Sequence, residues 1–151
     1  MPDHSETLNS ILAESPTLSA FLRSVQARLH WVPREAMNIA ADRFNTTYMA
    51  VYEQVAFSPA FSLEERGRVV FEVCHGLACK EAGSVPVLRA LEQAGGIQTG
   101  QTKADGSLSI CRQACFGRCA IGPNLRVNGD YFANQTPESA TALLRSALAK
   151  P

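Results

Sequence analysis

The sequence lacks the features that mark membrane, secreted and nucleic-acid-binding proteins. No run of about 18 apolar residues is present, so we predict no transmembrane helix and no direct insertion into a membrane. The first residues have neither the basic start nor the apolar stretch of a signal peptide. The 14 Lys and Arg residues balance 14 Asp and Glu residues, whereas a nucleic-acid surface needs a basic excess. We therefore expect a cytoplasmic protein without a nucleic-acid partner.

The sequence also lacks recognisable catalytic and nucleotide-binding motifs. We find no glycine-rich loop for phosphates, no nucleophile–base arrangement and no pair of carboxylates suited to catalysis. We therefore expect the chain to have no catalytic site and no NAD or flavin site of its own. Its 151 residues, of which 46% are hydrophobic, are enough for a packed core in one or two small domains.

The hydrophobic periodicity divides the chain into two predicted domains. Residues 1–65 are predicted to form an N-terminal helical bundle, because apolar residues such as Leu18, Leu22 and Val25 recur at spacings of three and four. A charged stretch around residues 64–68 marks the junction. Residues 66–151 then change to β-branched and aromatic runs that alternate with helical patterns, which is typical of an α/β domain.

The second predicted domain has the element order of a small α/β sandwich. Its elements are a buried strand, a helix, a short strand, a hairpin and a C-terminal helix, over residues 69–73, 84–94, 108–110, 125–132 and 136–148. The hairpin is predicted from Asn128-Gly129, which favours a type I′ turn. Thr136 followed by Pro137 is typical of a helix start.

Five cysteines lie between positions 74 and 119. An odd number cannot pair completely within one chain, and the cytosol keeps thiols reduced, so no disulfide framework is expected. Cys74 and Cys79 form a C-x4-C pair on the loop after the first strand, and Cys115 and Cys119 form a C-x3-C pair before the hairpin. Four thiolates from two loops can surround two sulfide-bridged irons, which predicts a [2Fe–2S] site.

The spacing alone leaves other readings of the cysteines open. Structural zinc usually takes C-x2–4-C pairs, so the second pair fits zinc and the first pair lies at the edge of that range. Buried or redox-active thiols are a further alternative, although the C-x-x-C of a thioredoxin-type dithiol is absent. Cys111 could compete as a ligand, but we expect a strand residue that faces the core. His75 could donate a hydrogen bond to a cluster sulfur, although an exposed loop histidine is the commoner case.

The residues around the cysteines carry a resemblance to a known family. The chain resembles the small iron–sulfur subunit of NADH dehydrogenase modules, which occur in respiratory complex I, NAD-linked bidirectional hydrogenases and NAD-dependent formate dehydrogenases. The matching stretches are residues 25–29, 32–36, 51–57, 100–106, 122–129, 131 and 136–138, together with Cys74, Cys79, Cys115 and Cys119. The family usually has Gly at the position of His30 and Phe-Tyr at the position of Phe57-Ser58.

The resemblance implies both a fold and a function. The implied fold is an N-terminal helical bundle followed by a thioredoxin-like [2Fe–2S] ferredoxin domain. The implied ligands are Cys74, Cys79, Cys115 and Cys119, which would hold one [2Fe–2S] cluster. The implied function is one-electron transfer beside a flavoprotein subunit that binds FMN and NADH. Two alternatives remain: a free-standing thioredoxin-like ferredoxin, and a zinc-stabilised interaction module without redox activity.

Overall fold

The protein consists of two compact units that divide between Glu65 and Arg66. The computed structural model describes residues 4–151. Residues 1–3, which belong to the predicted N-terminal bundle, lie outside the described residues. The first unit is helical, and the second combines a sheet with helices. None of the helices within residues 4–151 has both the length and the apolar character needed to cross a bilayer.

Four helices form the N-terminal unit. They are α1 (Ser5–Glu14), α2 (Leu18–Leu29), α3 (Arg34–Arg43) and α4 (Tyr48–Ala56). Each helix contributes fully buried apolar side chains to one core, including Ile11, Phe21, Ala36 and Val51. Thr17 and Thr47 cap α2 and α4, because each side-chain oxygen accepts a hydrogen bond from the N–H three residues later.

The end of α2 has a conformation that favours glycine, although His30 occupies this position. His30 adopts the left-handed conformation with φ of 66°, which is unfavourable for a residue with a Cβ atom and favours glycine. The side-chain amide of Gln26 donates a 2.7 Å hydrogen bond to the carbonyl of His30 and accepts one of 2.8 Å from the N–H of Ser62. A side chain within α2 therefore holds this turn in place.

Five strands form one sheet in the C-terminal unit, in the spatial order β2-β3-β1-β4-β5. They are β1 (Val69–Cys74), β2 (Gln101–Thr102), β3 (Leu108–Gln113), β4 (Leu125–Val127) and β5 (Asp130–Phe132). β1 and β3 are parallel, and the other neighbouring strands are antiparallel. A parallel pair needs a crossover connection, which runs here through α5 (Leu77–Glu81) and α6 (Ser84–Gly95). α7 (Pro137–Ala149) packs beside α6.

The two faces of the sheet differ in chemistry. On one face Val69, Phe71 and Val73 pack into the apolar core with residues of α6 and α7. Side chains alternate along a strand, so Glu72 and Cys74 lie on the opposite face, where both are buried. The second face therefore buries a carboxylate and a thiol only two residues apart.

Turns and caps follow the predicted signals. Asn128 and Gly129 both have positive φ, 49° and 96°, as a type I′ hairpin turn requires. Thr136 caps α7 through a capping box with Ser139, and Pro137 is the first helical residue. Neighbouring residues decide these turns and caps without tertiary contacts, and for this reason the sequence predicts them.

Two sequence expectations differ from the structure. α5 has five residues, too few for periodicity to reveal, and it contains Cys79. The first cysteine pair therefore joins a strand end to a helix, and the expectation that both residues lie on a loop is wrong. Cys111 lies in β3 as expected, but it is half-buried on the face opposite the core, beside Glu72 in the β1–β3 register. The expectation that Cys111 faces the core is therefore wrong as well.

Candidate metal centre

The four predicted ligands come from two segments that meet at one end of the sheet. Cys74 is the last residue of β1, and Cys79 is the third residue of α5; both are 1% exposed. Cys115 and Cys119 are exposed and lie in the connection that follows β3. The segments touch at Gly76, where an added Cβ would lie 2.9 Å from the carbonyl oxygen of Ala114.

The sulfur atoms of these cysteines contact one another in pairs. The Sγ atoms of Cys115 and Cys119 are 3.7 Å apart. The Cys74 thiol interacts with the thiols of Cys79 and Cys115. The Cys119 thiol also interacts electrostatically with Cys79. Both predicted pairs thus come together, and we call Cys74, Cys79, Cys115 and Cys119 the four-sulfur site.

Backbone N–H groups point at the thiols from both segments. Burial raises the pKa of the Cys74 thiol, although hydrogen bonds from the N–H groups of Gly76 and Phe116 favour its thiolate. The N–H of Gly117 donates to Cys115 Sγ at 3.2 Å, and this hydrogen bond is the main cause that lowers the pKa of Cys115. The hydrogen bond with Cys115 raises the pKa of Cys119.

Asn124 connects the buried half of the four-sulfur site to the exposed segment. It is 2% exposed, and its Nδ2 donates to Cys79 Sγ at 3.5 Å and to the carbonyl oxygen of Arg118 at 2.8 Å. Its own carbonyl oxygen accepts a hydrogen bond from the N–H of Cys74. Asn124 could not be identified from the sequence, because a single Asn before a strand carries no recognisable signal.

A second group that the sequence did not reveal is centred on Glu72, which is 4% exposed. Its carboxylate accepts hydrogen bonds from Arg126 (Nη2–Oε1 2.9 Å) and Gln113 (2.9 Å), and Arg66 lies 3.3 Å away. Burial alone would raise the pKa of Glu72, but these donors hold it below its usual value, so the carboxylate is ionised at neutral pH. The charged residue within the apolar run 69–74 is the signal that could have revealed this group.

The donor set fits a binuclear cluster with two thiolates per iron. Each iron of a [2Fe–2S] cluster takes two thiolates, so neighbouring sulfur pairs are what the fold must supply. Soft thiolate ligands and N–H donors towards sulfur both suit that cluster.

Two further residues, His75 and Arg118, are direct neighbours of the predicted ligands in the sequence. His75 is half-buried rather than exposed, and among the described residues its buried Nδ1 has no hydrogen-bond partner. Desolvation is the main cause that lowers its pKa, with Lys80 and Arg112 adding to it. Arg118 stacks on Tyr131, with its guanidinium carbon 5.0 Å from the ring centroid.

The chain is similar to known proteins over most of its length. The family model described as thioredoxin-like [2Fe-2S] ferredoxin matches residues 5–148. The chain is 32% identical over 123 residues to a subunit of the NADH-quinone oxidoreductase of Escherichia coli strain K12, covering 82% of this chain and 74% of that protein. It is 28% identical over 137 residues to the HndA subunit of the NADP-reducing hydrogenase of Solidesulfovibrio fructosivorans, covering 91% of this chain and 80% of that protein.

A solved structure shows the same fold. The chain superimposes on the crystal structure of an NAD+-reducing [NiFe]-hydrogenase in the H2-reduced state with a TM-score of 0.76 and 22% identity. The match covers 91% of this chain but 23% of the hydrogenase chain, so the chain spans about a quarter of that longer protein. Both compact units take part in a match of this extent.

Proposed function

The chain belongs to the thioredoxin-like [2Fe-2S] ferredoxin family, and from that membership we propose that the four-sulfur site holds one [2Fe–2S] cluster. The predicted fold class, N-terminal helices followed by a thioredoxin-like ferredoxin domain, is confirmed by the family match, and the cofactor of this family is a [2Fe–2S] cluster. The observation that carries the ligand assignment is that the two cysteine segments meet at Gly76, beside Cys74 Sγ and Cys115 Cβ, while the Sγ atoms of Cys115 and Cys119 are 3.7 Å apart. Each segment supplies one pair of thiolates.

The residues of the chain have distinct roles in this proposal. When bound, the cluster supplies a site that gains and loses one electron. The thiolates hold the irons, and the N–H groups of Gly76, Phe116 and Gly117 stabilise the negative charge that reduction adds to the sulfurs. Burial of Cys74 and Cys79 excludes water from one side, while exposed Cys115 and Cys119 leave the other side accessible.

We further propose that the chain is a one-electron transfer subunit of a multisubunit NAD-linked oxidoreductase, next to a subunit that binds FMN and NADH. The relatives support this, since one is named as a subunit of an NADH-quinone oxidoreductase and another as a subunit of an NADP-reducing hydrogenase. Residues 1–65 would form the helical domain and residues 66–151 the cluster domain. In this arrangement the catalytic site for NADH lies on the partner.

Metal analysis of anaerobically purified protein tests the cluster assignment. We expect a red-brown protein with about two irons and two sulfides per chain, and a paramagnetic signal after reduction by dithionite. Serine at any of the four cysteine positions should lower the iron and sulfide content, whereas Cys111→Ser should leave it unchanged. A colourless protein with stoichiometric zinc would overturn the proposal in favour of a zinc-stabilised module.

Affinity purification from the native host tests the partner assignment. We expect a flavoprotein that contains FMN to co-purify, and NADH to reduce the cluster within that complex. Cluster-loaded protein that purifies alone and is not reduced by NADH in the cell extract would instead favour the free-standing ferredoxin. The two results differ in the composition of the complex, so one experiment separates them.

A further inference from the structure

A row of four side chains crosses the sheet beside the four-sulfur site. The strand registers place Glu72 of β1 opposite Cys111 of β3 and Arg126 of β4, and Arg126 opposite Tyr131 of β5. Arg126 binds both carboxylate oxygens of Glu72, through Nε and Nη2. A two-point contact of this kind fixes the plane of the guanidinium, because both groups are flat and the carboxylate is buried.

The guanidinium that Glu72 orients contacts an aromatic ring from the exposed segment. The guanidinium carbon of Arg126 lies 5.3 Å from the ring centroid of Phe116 and 5.8 Å from that of Tyr131. The two rings meet edge to face, with centroids 5.5 Å apart. Phe116 is half-buried although the cysteines on both sides of it in the segment, Cys115 and Cys119, are exposed. The ring of Phe116 is therefore an anchor that ties an otherwise exposed segment to the sheet.

The residues on both sides of Phe116 belong to the site itself. The N–H of Gly117 donates a hydrogen bond to the Sγ of Cys115 at 3.2 Å, and the Cβ of Cys115 lies beside Gly76 of the other cysteine segment. The position of the Phe116 ring thus determines where the Gly117 N–H donor and the Cys115 sulfur lie. Donors of this kind stabilise the reduced form of an iron–sulfur cluster more than the oxidised form, because reduction adds negative charge.

We propose that Arg126, oriented by Glu72, is a positioning residue that holds Cys115 and the Gly117 N–H in place through the ring of Phe116 and thereby raises the reduction potential of the cluster. The inference rests on the proposed function, since it requires the cluster on the four-sulfur site. Arg126 acts through the planar contact of its guanidinium with the Phe116 ring, since its charge is paired with that of Glu72, which Arg66 also contacts. Substitutions that keep the charge but lose the planar contact should therefore lower the potential.

Redox titration of the cluster-loaded full chain tests this inference. Arg126→Lys keeps the positive charge but cannot contact both carboxylate oxygens or stack as a plane. Phe116→Leu removes the ring and changes no charge. We expect each variant to lower the equilibrium constant for one-electron reduction by dithionite about tenfold, which is about 59 mV, and to shift the electron paramagnetic resonance spectrum. The double variant should shift no further than either single one, because both remove the same contact.

Two controls separate positioning from charge and from general damage. Arg66→Met removes a positive charge from the same carboxylate, whereas the guanidinium that stacks on the Phe116 ring is that of Arg126. We expect less than a twofold change in the equilibrium constant for Arg66→Met. Phe116→Tyr restores a ring of the same shape and should restore the potential. A normal potential in both Arg126→Lys and Phe116→Leu, or equal shifts in Arg66→Met and Arg126→Lys, would overturn the inference.

The outcome also distinguishes this inference from the proposed function. If the wild-type chain contains no iron and sulfide, the proposed function fails. If it contains both and the variants titrate as the wild type does, only the positioning role fails. If Arg126→Lys does not fold, Phe116→Leu decides, because it leaves no buried charge unpaired.

Discussion

The two cysteine segments differ in how the chain holds them. Cys74 and Cys79 are buried on a strand end and a helix, where the surrounding regular structure fixes their positions. Cys115 and Cys119 are exposed in the connection after β3, with Cys119 at the start of a short 3-10 helix (Cys119–Ile121), and the ring of Phe116 and Asn124 hold this segment in place. The comparison shows that one segment supplies rigid geometry and exclusion of water, while the other supplies access. An electron carrier needs both properties.

Serine substitution of one cysteine from each segment should give the largest difference between the buried segment and the exposed segment. We expect Cys79→Ser and Cys119→Ser both to lose most of the iron and sulfide. In the metal-free chain, Cys79→Ser should also lower the free energy of unfolding by about 1–3 kcal/mol, because it buries a hydroxyl in place of a thiol. Cys119→Ser should stay within about 0.5 kcal/mol of the wild type, because the side chain is exposed. Urea unfolding of both apoproteins measures the difference, and equal stabilities would contradict the comparison.

Alanine at one glycine of each segment should give a smaller contrast. A Cβ at Gly76 would lie 2.9 Å from a backbone oxygen of the other segment, so Gly76→Ala should cost about 1–3 kcal/mol and push the segments apart. Gly117 has φ of 73° and open space around it, so Gly117→Ala should cost only about 1 kcal/mol of conformational strain. Thermal unfolding and iron content of both variants provide the test. A larger loss of iron in Gly117→Ala would show that conformation, not contact between segments, limits the site.

Alkylation of the wild-type apoprotein should give the smallest difference between the two segments. The cysteines should differ only in the rate at which they react. The lowered pKa of Cys115 gives it a larger thiolate fraction at neutral pH, and the residue is exposed, so iodoacetamide should modify it first. Cys119 should follow because its pKa is raised, and Cys74 should react last because burial both raises its pKa and blocks access. Raising the pH should bring the alkylation rates of the cysteines closer together, because the other thiols then ionise as well. Peptide mapping by mass spectrometry checks the order, and early labelling of Cys74 would contradict it.

The accuracy of the sequence predictions follows the range of the interactions involved. The hairpin at Asn128-Gly129 and the start of α7 at Thr136 were predictable because neighbouring residues decide them. α5 was missed because a helix of five residues is too short to show a hydrophobic period. The side of β3 on which Cys111 lies was mispredicted, because burial of a cysteine does not by itself indicate which face of the strand it occupies.

In the candidate site too, local features were predictable from the sequence and long-range contacts were not. Four cysteines in two pairs are visible in the sequence, since soft ligands at short spacing are a local signal. The contacts of Glu72 with Arg126, and of Arg126 with Phe116, join residues that are 54 and 10 positions apart in the chain. No local pattern predicts such contacts, although a carboxylate within an apolar strand indicates that some partner must exist.

The sequence by itself determined the ligand types, the helical first half, the α/β second half and the caps and turns, because each depends on residues within a few positions of one another. Only the tertiary structure decided that the two thiol pairs meet, which pair is buried, and which side chains hold the exposed segment in place. The reason is that these properties come from strand register and from the packing of distant segments. Both are set by the whole sheet and by no single stretch of sequence.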